Sequence, residues 1–212
     1  MADGARLLEL VAVQDRLRSP GGCPWDIEQT HASLVPYLIE EAYECVEAIE
    51  SGDREHLREE LGDLLLQIVF HARIAEEHPT DPWSVDDVAA GITDKLVRRH
   101  PHVFGDATAD TAAEVEANWE QLKTAEKGRT SVTEGVPLGQ PALALADALW
   151  RRAARGGVPD ELQPDGDDVG ARLFRLAAEA RVSGVDPEAA LRATARDFRD
   201  RVAKWERTSA TG

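Results

Sequence analysis

Five carboxylates carry the densest chemistry in this chain. Glu40, Glu41 and Glu44 lie in the run Glu-Glu-Ala-Tyr-Glu at 40–44, and Glu60 and Asp63 lie in Glu-Glu-Leu-Gly-Asp at 59–63. Both runs sit in segments of helical period, so Glu40 with Glu44, Glu41 with Glu44, and Glu60 with Asp63 share helix faces at i,i+4 or i,i+3 spacing. Between the runs, Gly52 reads as a helix stop and Asp53 as a helix start, and so short a connection makes neighbouring helices antiparallel. The two acidic clusters can then face each other. Carboxylates ~5 Å apart repel by about 3 kcal/mol per pair at an effective dielectric of ~20. Convergence therefore requires an offset: acids that protonate through raised pKa values, or a cation among them. An all-carboxylate set suits a hard ion, Mg²⁺ or Mn²⁺, over zinc or copper. Mg²⁺ takes further oxygens from substrate phosphates, which points to a nucleotide polyphosphate.

The helices that must position these acids allow a plainer reading as well. On the first, Leu38, Ala42, Val46 and Ile49 form the expected apolar stripe with the acids largely opposite, which is also how a solvated acidic face looks. On the second, the expected stripe is Leu57, Leu61, Leu64, Leu65, Ile68 and Ala72. Glu60 and Asp63 sit immediately beside it, where a carboxylate needs a partner. This helix is expected to run to about His78-Pro79. Further along, Ser84 and Asp87 form a capping-box start, and the helix that follows carries Lys95, Arg98 and Arg99 at i, i+3 and i+4. Three cations within one turn repel unless something negative lies between them; phosphate is one such group, and solvent or surface acids are the alternative. Trp25, in the loop Cys23-Pro24-Trp25-Asp26, offers a large rigid face that either stacks on a nucleobase or packs over the helices. Glu28 with His31 and Asp53 with His56 suggest a di-iron carboxylate bundle, but His31 and His56 fall near helix starts instead of deep within long helices.

Cys23-Pro24-Trp25-Asp26, Glu28-Gln29-Thr30, Glu40-Glu41-Ala42-Tyr43-Glu44, Glu60-Leu61-Gly62-Asp63-Leu64-Leu65 and Arg98-Arg99-His100-Pro101-His102-Val103-Phe104 closely resemble the MazG family of nucleoside triphosphate pyrophosphohydrolases. The resemblance covers about residues 5–127. It implies an all-α, antiparallel helical bundle of the all-α NTP pyrophosphatase type. It also implies hydrolysis of an NTP or dNTP to the monophosphate and pyrophosphate with Mg²⁺ (Mn²⁺ as a substitute), and a house-cleaning role in the nucleotide pool. Carried over residue by residue, Glu41, Glu44, Glu60 and Asp63 are the metal ligands. Lys95, Arg98 and Arg99 serve the substrate phosphates, and Trp25, Trp119 and Lys123 line the nucleotide site. Glu40 is left to orient or deprotonate the attacking water. The family generally forms homodimers.

At 212 residues the chain can hold one or two domains with a sizeable core. A net charge of −16 disfavours nucleic acid and anionic membranes as partners. No apolar signal-peptide core follows Met1 and no run approaches 18 apolar residues, so a cytoplasmic location with Cys23 and Cys45 as reduced thiols is expected. The expected organisation is a catalytic helical domain at 1–127, a Gly-, Pro-, Ser- and Thr-rich linker at 128–139, and a helical segment at 140–212. The resemblance makes that segment a degenerate second repeat. Val169-Gly170-Ala171-Arg172-Leu173-Phe174 echoes the second acidic element with Ala171 in the place of its Asp, and the first acidic helix is missing. Such decay also motivates a non-catalytic alternative, an acidic helical regulator that senses nucleotide or metal.

Overall fold

The computed structural model describes residues 4–109, 111, 112, 114, 115, 118, 119 and 130–209. Its described elements are helices, with no strand among the described residues, and the chain divides into two compact units, Met1–Trp119 and Glu120–Gly212. No helix among the described residues is long and apolar enough to cross a membrane.

The first unit begins with α1 (Ala5–Arg18). Ser19-Pro20-Gly21-Gly22 turns the chain back sharply, and Gly22 has to be glycine: a Cβ there would sit 2.1 Å from the Leu17 carbonyl oxygen. The Cys23 N–H donates to that same oxygen at 2.7 Å. Pro24 then starts a single helical turn, α2 (Pro24–Glu28), with Cys23 extended before it. The expected loop around Trp25 is therefore a helical turn. Proline suits a first helical position, where no N–H is needed, and it holds the preceding residue extended.

Next come α3 (Val35–Ser51) and α4 (Arg54–Ala75), which pack together as an antiparallel hairpin. Gly52 closes α3 at φ +76°, a conformation that favours glycine. The Asp53 carboxylate opens α4 by accepting from the N–H groups of Glu55 and His56, both at 3.0 Å. α4 ends at Ala75, before the expected His78-Pro79, and a turn carries the chain onward. The Ser84–Asp87 capping box begins α5 (Val85–Arg99), and the short α6 (Pro101–Phe104) follows it. The core of this unit is Leu34, Cys45 and Ala48 against Val69, Phe70, Ala72 and Ala75, with Gln14 and Arg18 of α1 buried beside them.

In the second unit, turns at 130–140 lead into α7 (Ala142–Arg155). A 3₁₀ turn (Asp160–Leu162), α8 (Val169–Val182) and α9 (Pro187–Ser209) complete it. α7 packs on α8, and α9 on both. Among the described residues the buried ones here are Ala171, Ala177, Ala178, Val136, Pro187 and the acid Asp147.

Candidate metal centre

The hairpin turns its acids inward. The inward stripe of α3 runs from its N-cap Leu34 through half-buried Leu38 and Glu41 to buried Cys45 and Ala48, at alternating spacings of four and three, whereas the expected stripe residues Ala42 and Ile49 are exposed. Glu41 is thus part of the stripe that meets α4. On α4 the buried positions include Glu60, Gln67, Val69, Phe70 and Ala72, while Leu61 and Ile68 are exposed. Both helices are apolar on more than one side, so periodicity alone leaves their rotation open.

Glu41, Glu60 and Asp63 each bring one carboxylate oxygen to within 4.8 Å of the other two. Glu44 is half-buried next to the same group and repels both Glu41 and Glu60. Glu40 is exposed and is not drawn into this set. Burial, followed by the charges of Asp63, Glu44 and Glu60, pushes the Glu41 carboxyl above the ordinary glutamate value. Burial does the same for Glu60, with Glu44 adding to it and His56 working against it. The Cys45 thiol is raised as well, by burial and then by the four surrounding acids.

These directions have one cause: a concentration of negative charge withdrawn from water. His56 relieves part of it, its Nε2 lying 2.9 Å from Glu60 Oε1. Two oxygens on opposite sides of a hard divalent cation lie ~4.2–4.8 Å apart, given metal–oxygen distances of ~2.1–2.4 Å. The observed spread, the purely carboxylate donors and the raised pKa values fit such an ion.

The cations and aromatic residues are placed unevenly. Lys95 is half-buried and Arg98 exposed, while Arg99 is buried with its guanidinium 5.8 Å from the Trp119 ring centre. His100 meets the same indole edge-on at 4.9 Å. Lys95 and Arg99 therefore share the inward side of α5, one turn apart, and Arg98 points away. Trp25 is 49% exposed, supported at its edges by Tyr37 at 5.8 Å and Phe70 at 6.3 Å. Lys123 lies outside the described residues.

The Glu-x-x-His and Asp-x-x-His pairs do not gather. Asp53 is used as the α4 cap and His56 bonds Glu60. His31 bonds His71, Nδ1 to Nδ1 at 2.8 Å, with the ring planes 3° apart and the centres 5.1 Å apart. That centre separation is the N···N distance plus the two ring radii, so the nitrogens point straight at each other and share a proton, with no room for an ion between them. Three participants escaped the sequence reading: His56 as the partner of Glu60, Cys45 within the acidic set, and Arg18 behind the Trp25 turn. Only His56 carried a signal, its i,i+4 spacing to Glu60.

Residues 29–104 match the MazG nucleotide pyrophosphohydrolase domain, a span that holds all five acids and the α5 cations but neither Trp25 nor Trp119. An uncharacterised 26.1 kDa protein of Streptomyces cacaoi is 57% identical over 200 residues, 94% of this chain and 82% of that protein. A Thermotoga maritima protein named nucleoside triphosphate pyrophosphohydrolase/pyrophosphatase MazG is 40% identical over 223 residues, 93% of this chain and 84% of that protein. The nucleoside triphosphate pyrophosphohydrolase of Mycobacterium tuberculosis is 44% identical over 207 residues, 98% of this chain, which spans 60% of that protein's length. With the inward-facing acids of α3 and α4 lying inside the matched span, the chain belongs to the MazG family.

Proposed function

We propose that this chain is a nucleoside triphosphate pyrophosphohydrolase that converts an NTP or dNTP to the monophosphate and pyrophosphate. The observation that carries this reading is the convergence of Glu41, Glu60 and Asp63 within 4.8 Å. So much negative charge repels a triphosphate until a cation intervenes. Glu41, Glu44, Glu60 and Asp63 would hold Mg²⁺, with Mn²⁺ as a substitute. Bound there, the ion offsets phosphate charge and makes water a better nucleophile.

The chain's own residues supply the rest. Glu40, exposed one residue before Glu41, is free of the buried set and is assigned to orient or deprotonate the attacking water. Lys95 and Arg99, on one side of α5, are assigned with Arg98 to the phosphates and the leaving pyrophosphate. Trp25, half-exposed, is assigned to stack on a base, and Trp119 and Lys123 are assigned to complete the nucleotide site.

Other features belong to the same proposal. The exposed Ile39 and Tyr43 of α3 and Leu61 and Ile68 of α4 give the hairpin an apolar outer side that suits a homodimer. The free thiols Cys23 and Cys45 suit a cytoplasmic enzyme of the nucleotide pool, and the charge of −16 argues against nucleic acid as a partner. We read residues 140–212 as a degenerate repeat of 1–127 across a linker at 128–139. Gly21-Gly22-Cys23-Pro24 leads into the helical turn α2, and Gly156-Gly157-Val158-Pro159 leads into a 3₁₀ turn in the same way.

The test is pyrophosphate release from a panel of NTPs and dNTPs with Mg²⁺, with Mn²⁺ and with EDTA. Metal-dependent pyrophosphate and monophosphate in equal amounts are expected. Binding of nucleotide without product under every metal condition would replace this reading with the regulatory one.

A further inference from the structure

We propose that Arg18, remote from the acids, is a positioning residue that fixes the Trp25 turn and through it the affinity for the nucleotide base. This rests on the assignment of Trp25 to base binding made above. α2 is five residues long, too short to persist through its own hydrogen bonds, and near its end the Asp26 carbonyl accepts only a long 3.4 Å bond from the Gln29 N–H, which leaves room for a second donor. Arg18 supplies one. Its Nη1 donates to the carbonyl oxygens of Asp26 and of Gln29, the latter at 3.0 Å. It thereby places a positive charge at a helix C-terminus, where it is favoured.

The other edge of the guanidinium is held as firmly. Nε and Nη2 donate to the two carboxylate oxygens of Glu77, both at 2.9 Å, a bidentate pair just beyond α4. Glu77 is also gripped by Arg73 at 3.0 Å, and Arg73 by Asp15 of α1 at 2.8 Å. The guanidinium carbon stands 6.0 Å from the centre of Phe70, whose ring meets Trp25 at 6.3 Å. Gln29 closes the arrangement by donating from Nε2 to the Trp25 carbonyl oxygen at 2.9 Å.

One buried guanidinium, its side chain 7% exposed, thus ties together the end of α1, the end of α4 and the turn that carries a half-exposed indole. Among the described residues it makes no bond to Glu41, Glu44, Glu60 or Asp63. Lysine cannot take its place, because a single ammonium cannot serve Glu77 bidentately and two backbone carbonyls on the opposite side.

The experiment compares kcat and KM for Mg²⁺-dependent pyrophosphate release in wild type, Arg18→Lys, Arg18→Met, Glu77→Gln, Trp25→Ala and the Arg18→Met/Trp25→Ala double variant. Arg18→Met and Trp25→Ala are each expected to raise KM about tenfold with kcat nearly unchanged, the range that loss of one base–aromatic stack spans. The double variant is expected to be no worse than Trp25→Ala, since both act through one contact. Arg18→Lys should fail to rescue, and Glu77→Gln, which leaves Arg18 its two backbone carbonyl acceptors, should give a smaller KM increase of the same kind. A fall in kcat at unchanged KM, multiplicative effects in the double variant, or a silent Trp25→Ala would each overturn the proposal. Fluorine NMR of 5-fluorotryptophan protein, with Trp25 assigned through Trp25→Phe, separates the two readings. If wild type releases no pyrophosphate, the enzymatic reading fails, while a Trp25 resonance moved by Arg18→Met with those of Trp150 and Trp205 unmoved still supports the clamp. An unmoved Trp25 resonance overturns it.

Discussion

Two helical hairpins in this molecule bury acid, and they deal with it in opposite ways. In the second unit Asp147 of α7 accepts from Arg181 of α8 through two bonds, at 2.6 and 2.9 Å, and from Arg151 at 3.0 Å. Arg181 also reaches Asp186 at 2.9 Å, whose other oxygen caps α9. That acid is neutralised from within, and bonding to Asp147 pushes the Arg181 pKa up. In the α3–α4 hairpin, Glu41, Glu44, Glu60 and Asp63 have mostly one another, with His56 the one basic group bonded to them among the described residues. A closed ion pair is a structural element, whereas carboxylates held together with no strong cation of their own among the described residues could take one from outside. In the repeat reading proposed above, Asp63 after Gly62 in the first hairpin would answer to the buried Ala171 after Gly170 in the second.

The contrast breaks most visibly by mutation of the acids. Glu60→Ala or Asp63→Ala should lower the rate of pyrophosphate release at least about 100-fold, as expected when charge compensation at a transferring phosphoryl group is lost. Steady-state assays at saturating Mg²⁺ check this. Asp147→Asn should behave in the reverse manner. Thermal and urea unfolding should report a loss of about 3 kcal/mol, because a buried pair is broken and Arg181 is left short of a partner.

The pH dependence sharpens the same comparison. In metal-free protein Glu41 and Glu60 bind protons more tightly folded than unfolded, so their contribution to stability is fully present below the ordinary value of 4.5 and is lost as pH rises through the raised values. His71, lowered from 6.5 by burial and then by His31, contributes above 6.5 and loses that contribution as pH falls through its lowered value. Unfolding midpoints in EDTA across this window should therefore decline on the alkaline side. Glu60→Gln should flatten that decline, and Mg²⁺ should reverse it. The smallest effect is expected at His31→Phe. It removes one exposed partner of a shared-proton pair while keeping a ring beside Trp83, and should cost about 1 kcal/mol in urea unfolding.

Much of this was legible in the sequence, for identifiable reasons. Gly52 and Asp53 marked the hairpin because a left-handed residue and a capping carboxylate are local requirements. Ser84 with Asp87 marked the start of α5 in the same way. What the sequence left open was rotation. The side of α3 bearing Ala42 and Ile49 looked like the core but is exposed, and Glu41 lies in the inward stripe instead. Partner choice over long separations was invisible too. Arg18 with Glu77, 59 residues apart, and Arg181 with Asp147, 34 apart, form only once the helices pack.

The most direct test of cation binding by these acids is a Mn²⁺ titration of the metal-free protein followed by electron paramagnetic resonance, with protons released measured alongside over a pH series upward from the ordinary value of 4.5. The account predicts Mn²⁺ uptake that releases protons, because raised carboxyls must ionise to ligate, and loss of both signals in Glu41→Gln and Glu60→Gln but not in Asp147→Asn. Mn²⁺ uptake unaffected by Glu41→Gln and Glu60→Gln, or no uptake at all with the protein folded, would contradict it.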